Sequence, residues 1–163
     1  KLLVDIVSKN GNMLLSVPLR ADGTPDEKEI AIMKEFGAWM KINSESIVKT
    51  RPWKIFGEGP IADADIQINA QGFNDGQYTK AGANEIRFTQ TEKNLYVSAL
   101  EWPENKTINV KSLAEGSTLY PEKIKSVELL GYGKVKFTRT SDALVVSLPE
   151  KLNNIMPVLK IKK

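Results

Sequence analysis

The 163-residue sequence predicts a mostly β fold, an antiparallel β-sandwich preceded by a helix–strand–helix segment. Three observations carry that prediction. Short apolar runs of period two recur after Trp53 with no helical pattern between them. Turn-forming residues separate the runs. Before Trp53, helical spacing appears on both sides of one short, nearly continuous apolar stretch.

The first helix rests on Leu2, Leu3, Ile6 and Val7, with Asn10-Gly11 as a left-handed C-cap. Nothing before Leu2 supplies a cap, so this helix is expected to continue a longer chain. Asn12–Val17, closed by Pro18, reads as a strand buried on both faces, as in a parallel sheet flanked by helices. Such a strand needs neighbours to pair its backbone groups, and no second run of this kind occurs before residue 53. Its sheet is therefore expected to come from residues outside this sequence or from another chain. In Thr24-Pro25-Asp26-Glu27, a threonine N-cap, proline at the first turn and a glutamate form a capping box. The helix it opens is expected over 25–42, with Ile30, Met33, Phe36 and Met40 on its apolar face.

Gly57-Glu58-Gly59-Pro60 reads as a linker, and residues 1–53 and 54–163 are expected to form separate units. The sandwich strands follow from Ile86/Phe88, Leu95/Val97/Ala99, Ile108/Val110, Val127/Leu129, Val135/Phe137, Leu144/Val146/Leu148 and Val158/Leu159/Ile161. Turns fall at 92–94, 103–105, 131–133 and 141–142, and 71–84 reads as a polar, Gly-rich loop.

Composition excludes much chemistry. There is no cysteine and no histidine, which removes disulfides, thiolate nucleophiles, imidazole bases and histidine-ligated metals. The formal charge of +3 comes from lysines scattered among acids, so no nucleic-acid footprint is read. No apolar run approaches the ~20 residues of a membrane-spanning helix. Asp63-Ala64-Asp65 lacks the further ligands of a calcium loop and reads as a solvated strand edge. No metal and no cofactor are expected.

Asp22, Glu58, Glu85, Glu101 and Glu104 lie in or near loops, but their spacing picks out no acid–base pair, and each reads as solvated surface. Trp39 is expected to be packed, and Trp53 to lie where helix passes to sandwich. Trp102 ends a strand before Pro103 and is the candidate glycan contact, with packing as its competing role.

Read as an ordered set, several segments resemble the α-L-fucosidases of glycoside hydrolase family 29. Ser8-Lys9-Asn10-Gly11-Asn12-Met13-Leu14-Leu15 and Asp22-Gly23-Thr24 resemble the family's last barrel strand and following loop. Gly37-Ala38-Trp39-Met40-Lys41-Ile42-Asn43 and Thr50-Arg51-Pro52-Trp53 resemble its final barrel helix and exit. Glu101-Trp102-Pro103-Glu104-Asn105, Val127-Glu128-Leu129-Leu130-Gly131 and Leu148-Pro149 fit its C-terminal sandwich.

The resemblance implies that the first segment is a remnant of a (β/α)8 barrel, which accounts for the orphan strand. It further implies a retaining parent enzyme acting on fucosylated glycans, with its nucleophile and acid/base upstream of Lys1. The chain itself then carries no catalytic residue and is structural. Ser16 and Arg20 would line the rim of the substrate site, although Ser16 and Pro18-Leu19 depart from the family's usual residues. The apolar face left without its barrel is expected to drive self-association. A bacterial parent, periplasmic or secreted, is the expected source. The alternatives are an autonomous carbohydrate-binding sandwich and a free-standing interaction protein.

Overall fold

In the computed structural model, residues 1–63, 82–152 and 155–163 are described. Helices α1 (Leu2–Ser8) and α2 (Glu27–Asn43) precede β1 (Arg51–Glu58), β2 (Ile86–Gln90), β3 (Asn94–Ala99) and β4 (Thr107–Val110). Strands β5 (Ser126–Leu129), β6 (Gly133–Lys134), β7 (Phe137–Arg139), β8 (Leu144–Ser147) and β9 (Val158–Lys162) complete the chain. A six-stranded sheet has the order β1-β2-β3-β9-β5-β6 and a three-stranded sheet the order β4-β8-β7, all pairs antiparallel.

The predicted alternation builds the core between the sheets. Ile86 and Phe88, Leu95 and Val97, Val127 and Leu129, and Leu159 and Ile161 point from the large sheet toward Ile108, Val110, Leu144 and Val146 of the small one. The opposite face of the large sheet is also covered. Tyr96 and Val158 pack there with Val4 of α1, Trp39 of α2, Leu100, Leu130 and Met156. Residues 86–89 and 95–99 are therefore buried on both sides.

Strand β1 is not the linker expected at 57–60. Pro52 and Gly57 hide it in the sequence, yet Trp53 and Ile55 alternate toward the core. It is an edge strand, where proline costs no ladder bond. Its register on β2 shifts between Pro52 and Gly57, and a Cβ at Gly57 would lie 2.4 Å from the Ile86 carbonyl oxygen. Glycine is needed for this bulge. Residues 51–53, assigned by the sequence to the first segment, thus pair within the sandwich. Trp53 sits in the sandwich core, its ring 4.8 Å from Phe88 and 6.5 Å from Tyr120, rather than at the passage from helix to sandwich.

Three further expectations change. Residues 12–17 form no strand, because no described strand lies beside them to pair their backbone; Leu14 is 94% exposed. The cap of α2 is Asp26, whose carboxylate accepts from the amides of Lys28 (2.8 Å) and Glu29 (2.9 Å). A carboxylate suits the positive end of the helix dipole better than the Thr24 hydroxyl, which instead donates to Asp22 Oδ1 at 2.7 Å. The Val135/Phe137 run divides into β6 and β7, which belong to different sheets and carry the chain from one to the other. The left-handed residue ending α1 is found at Asn10 (φ 65°), and Gly131 and Gly133 have the positive φ of turn glycines. Most of the 71–84 loop lies outside the described residues, as do Ala64 and Asp65.

Candidate functional site

Helix α1 is held to the sheet by a buried ionic cluster. Arg87 projects from the helix-facing side of β2, where Gly57 lies opposite it; a Cβ there would come within 2.9 Å of Arg87 Nη1. The Arg87 Nε donates to Asp5 Oδ1 of α1 at 2.5 Å, and Nη1 donates to Glu85 Oε2 at 3.0 Å. Arg87, Asp5 and Glu85 are all buried, and Lys9 adds a second cation 2.9 Å from Asp5. Burial alone would raise the Asp5 pKa, but the bonds and charges of Lys9 and Arg87 outweigh it and hold the carboxyl below its usual range. Around the cluster, Thr89 donates to the Ser46 carbonyl at 2.6 Å and Trp39 Nε1 to the Met156 carbonyl at 3.2 Å.

Two of the five loop carboxylates are therefore not solvated surface. Glu85 pairs with Arg87 and accepts from the Ile61 amide. Glu58 accepts from the amides of Lys111 (2.7 Å) and Ser112 (2.8 Å), capping the 3-10 turn Lys111–Leu113. Both serve long-range partners that no local pattern announces. For Arg87 the local trace is a charged residue set between Ile86 and Phe88, a position that strand alternation assigns to the face opposite the core. The carboxyls that leave their usual range at the surface, Asp22, Glu27, Glu122 and Glu128, all move down, held by hydrogen-bond donors or cations. A general acid for glycoside cleavage needs the opposite shift. Burial pushes the Tyr96 and Tyr120 hydroxyls up to about 12, so neither supplies a base near neutrality.

The three candidate residues are not brought together. Ser16 is exposed in the irregular segment before α2. Arg20 reaches along the loop to Glu27 at 2.7 Å. Trp102 is only 9% exposed and packs in the sandwich core, with an edge on an open concavity of about 660 Å³ that includes Glu101, Glu104, Lys106 and Glu150. Neither Ser16 nor Arg20 lines that concavity. Trp39 is packed as expected, at 5% exposed.

A two-sheet antiparallel sandwich, tied to α1 by the Arg87–Asp5 pair and packed on α2 through Trp39, defines the architecture of the chain. The comparisons agree. A profile described as the α-L-fucosidase C-terminal domain matches residues 80–162, just over half of the chain, and one described as α-L-fucosidase matches residues 1–45. The chain is 26% identical over 162 residues to a mouse tissue α-L-fucosidase, covering 96% of this chain and 29% of that protein. It is 27% identical over 161 residues to the human tissue enzyme, covering 95% and 28%. The fold matches a Thermotoga maritima α-fucosidase with a TM-score of 0.68 at 24% identity, over 98% of this chain and 32% of the other. This chain belongs to the α-L-fucosidase family and represents its C-terminal portion. It spans less than a third of the length of each of these relatives. The curated relatives include mouse, human and Dictyostelium proteins and lend no support to the expected bacterial source.

Proposed function

We propose that the chain is the closing segment of a retaining α-L-fucosidase: residues 1–50 complete a catalytic barrel and the sandwich beginning at β1 braces it. The parent would hydrolyse terminal α-L-fucosides of glycans, with nucleophile and acid/base supplied by residues outside these 163. One observation carries the structural role. The buried carboxylates Asp5, Glu58 and Glu85 are all committed to cations or backbone amides, so none stands ready for chemistry.

Leu14, Leu15, Leu19, Ile32 and Met33 are all about half exposed or more, in agreement with an apolar face that the rest of a barrel would cover. Left uncovered, it would drive self-association of the chain. In that setting Ser16 and Arg20 would stand at the rim of the sugar site. An extracytoplasmic location, secreted or periplasmic, follows from the same reading and is in keeping with a relative named for plasma.

The test is hydrolysis of a nitrophenyl α-L-fucoside by this chain beside a longer protein that contains the complete barrel. No turnover by the chain and turnover by the longer protein are expected. Turnover by the purified 163-residue chain would overturn the proposed division of labour.

A further inference from the structure

The antiparallel order β1-β2-β3-β9 brings the first residue of β1, the last of β2, the first of β3 and the last of β9 to one end of the large sheet. There Arg51 pairs with Gln90 and Asn94 with Lys162. An open concavity of about 700 Å³ lies at this end, lined among others by Lys49, Arg51, Lys93 and Lys163, against the single carboxylate of Glu92. That surplus of three positive side chains equals the formal +3 of the whole chain, so the rest of the sequence is balanced.

Lys49, Arg51 and Lys93 are exposed and form no ion pair with any described residue. Lys163 is loosely tied to Glu122 at 3.5 Å. Nη1 of the Arg51 guanidinium donates to the Thr50 carbonyl at 3.1 Å, which leaves its remaining donors for a ligand. Lys49 has a φ of 60°, a left-handed conformation that a non-glycine residue holds at a cost. Among the described residues, no aromatic side chain lines the concavity. That absence disfavours both the stacking that single-stranded nucleic acids use and stacking on neutral sugar faces. What remains is recognition by several cations lining one cleft, suited to a ligand that carries more than one oxyanion.

We propose that this sheet-end cleft binds acidic glycans, with Lys49, Arg51 and Lys93 neutralising their sulfate or carboxylate groups. The choice of a glycan as the anion carrier rests on the family reading above; the cleft itself does not. Salt sensitivity follows from counterion release, so removing three cationic contacts flattens the dependence of affinity on ionic strength.

Titration calorimetry of the chain with oligosaccharides of sulfated dextran, unsulfated dextran and polygalacturonate, and with single-stranded DNA, tests it. Saturable binding of either acidic oligosaccharide, none of the neutral one, and a loss of roughly tenfold from about 50 to about 200 mM salt are expected. The stronger of the two acidic ligands identifies the preferred oxyanion. The triple variant Lys49→Gln/Arg51→Gln/Lys93→Gln should lose binding about tenfold or more, while Lys134→Gln/Lys136→Gln on exposed positions elsewhere should keep it. Equal losses in both variants, no binding of either acidic oligosaccharide, or tighter binding of DNA at equal charge would overturn the proposal. Fucoside hydrolysis plays no part in the readout, so failure of the fucosidase reading and failure of this one remain separable.

Discussion

The two faces of the six-stranded sheet are buried by different chemistry. One meets the small sheet through a mainly apolar core of Phe88, Val97, Leu159 and their neighbours. The other meets α1, α2 and the turn after them, where apolar contacts share the surface with Arg87–Asp5, Thr89–Ser46 and Tyr96–Glu45 bonds. The first contact is non-directional and tolerates small adjustments. The second depends on pairing, because an orphaned buried charge costs far more than the pair contributes.

Substitution should separate these two modes. On the apolar face, Phe88→Ala removes a fully buried ring that contacts Trp53, and a loss of about 3 to 5 kcal/mol is expected in urea unfolding with an unchanged slope. On the helix side, Arg87→Met leaves the buried Glu85 without a cation and Asp5 with Lys9 alone, and should cost a similar ~3 to 5 kcal/mol. The triple variant Asp5→Leu/Glu85→Gln/Arg87→Met should recover most of that loss, since it removes the stranded charges as well. If the triple variant is no more stable than Arg87→Met, unpaired charge is not the cause.

Acid should act on the helix side first. The depressed Asp5 pKa adds stability that is complete above the ordinary carboxylate value of 3.8 and is lost as pH falls through the lower folded value. Unfolding midpoints followed below pH 4 should therefore fall less steeply in Arg87→Met than in the parent chain. Equal slopes would remove Arg87 as the source of the shift.

The smallest effects belong to two buried tyrosines. The Tyr96 hydroxyl donates to Glu45 at 3.0 Å, and Tyr96→Phe should cost about 1 kcal/mol. Its pKa, raised to about 12 by burial and then by Glu45, also means stability that holds below pH 10 and is lost as pH climbs toward 12. Part of that alkaline loss should vanish in the variant. The buried Tyr120 hydroxyl has no partner among the described residues, so Tyr120→Phe should be neutral or slightly stabilising by thermal melting. A clear loss there would point to a partner for this hydroxyl.

The same comparison explains what could be read in advance. The apolar face was legible because alternation is a property of neighbours two residues apart, and it located every sandwich strand among the described residues except β1 and the two-residue β6. That strand was missed because Pro52 and Gly57 are breakers in isolation and become acceptable only at an edge and a bulge. The polar positions Arg87, Thr89 and Ser98 alternate with the core residues, which assigns them to the face opposite the core; α1, α2 and the segments beside them bury them. Ser16 and Arg20 were placed by family resemblance rather than by geometry, and only the folded chain shows Trp102 packed in the core with an edge on an open concavity.

By itself the sequence determined the sandwich, the α2 helix, the turn glycines and the absence of imidazole and thiol chemistry. Each depends on residue identity or on spacing within a few positions. Tertiary structure alone decided that Asp26 rather than Thr24 caps α2, that Glu58 and Glu85 are buried, and that Asp5 meets Arg87 from 82 residues away. Between two competent caps, or between solvent and a distant guanidinium, the outcome turns on which partner the folded chain brings within hydrogen-bond reach.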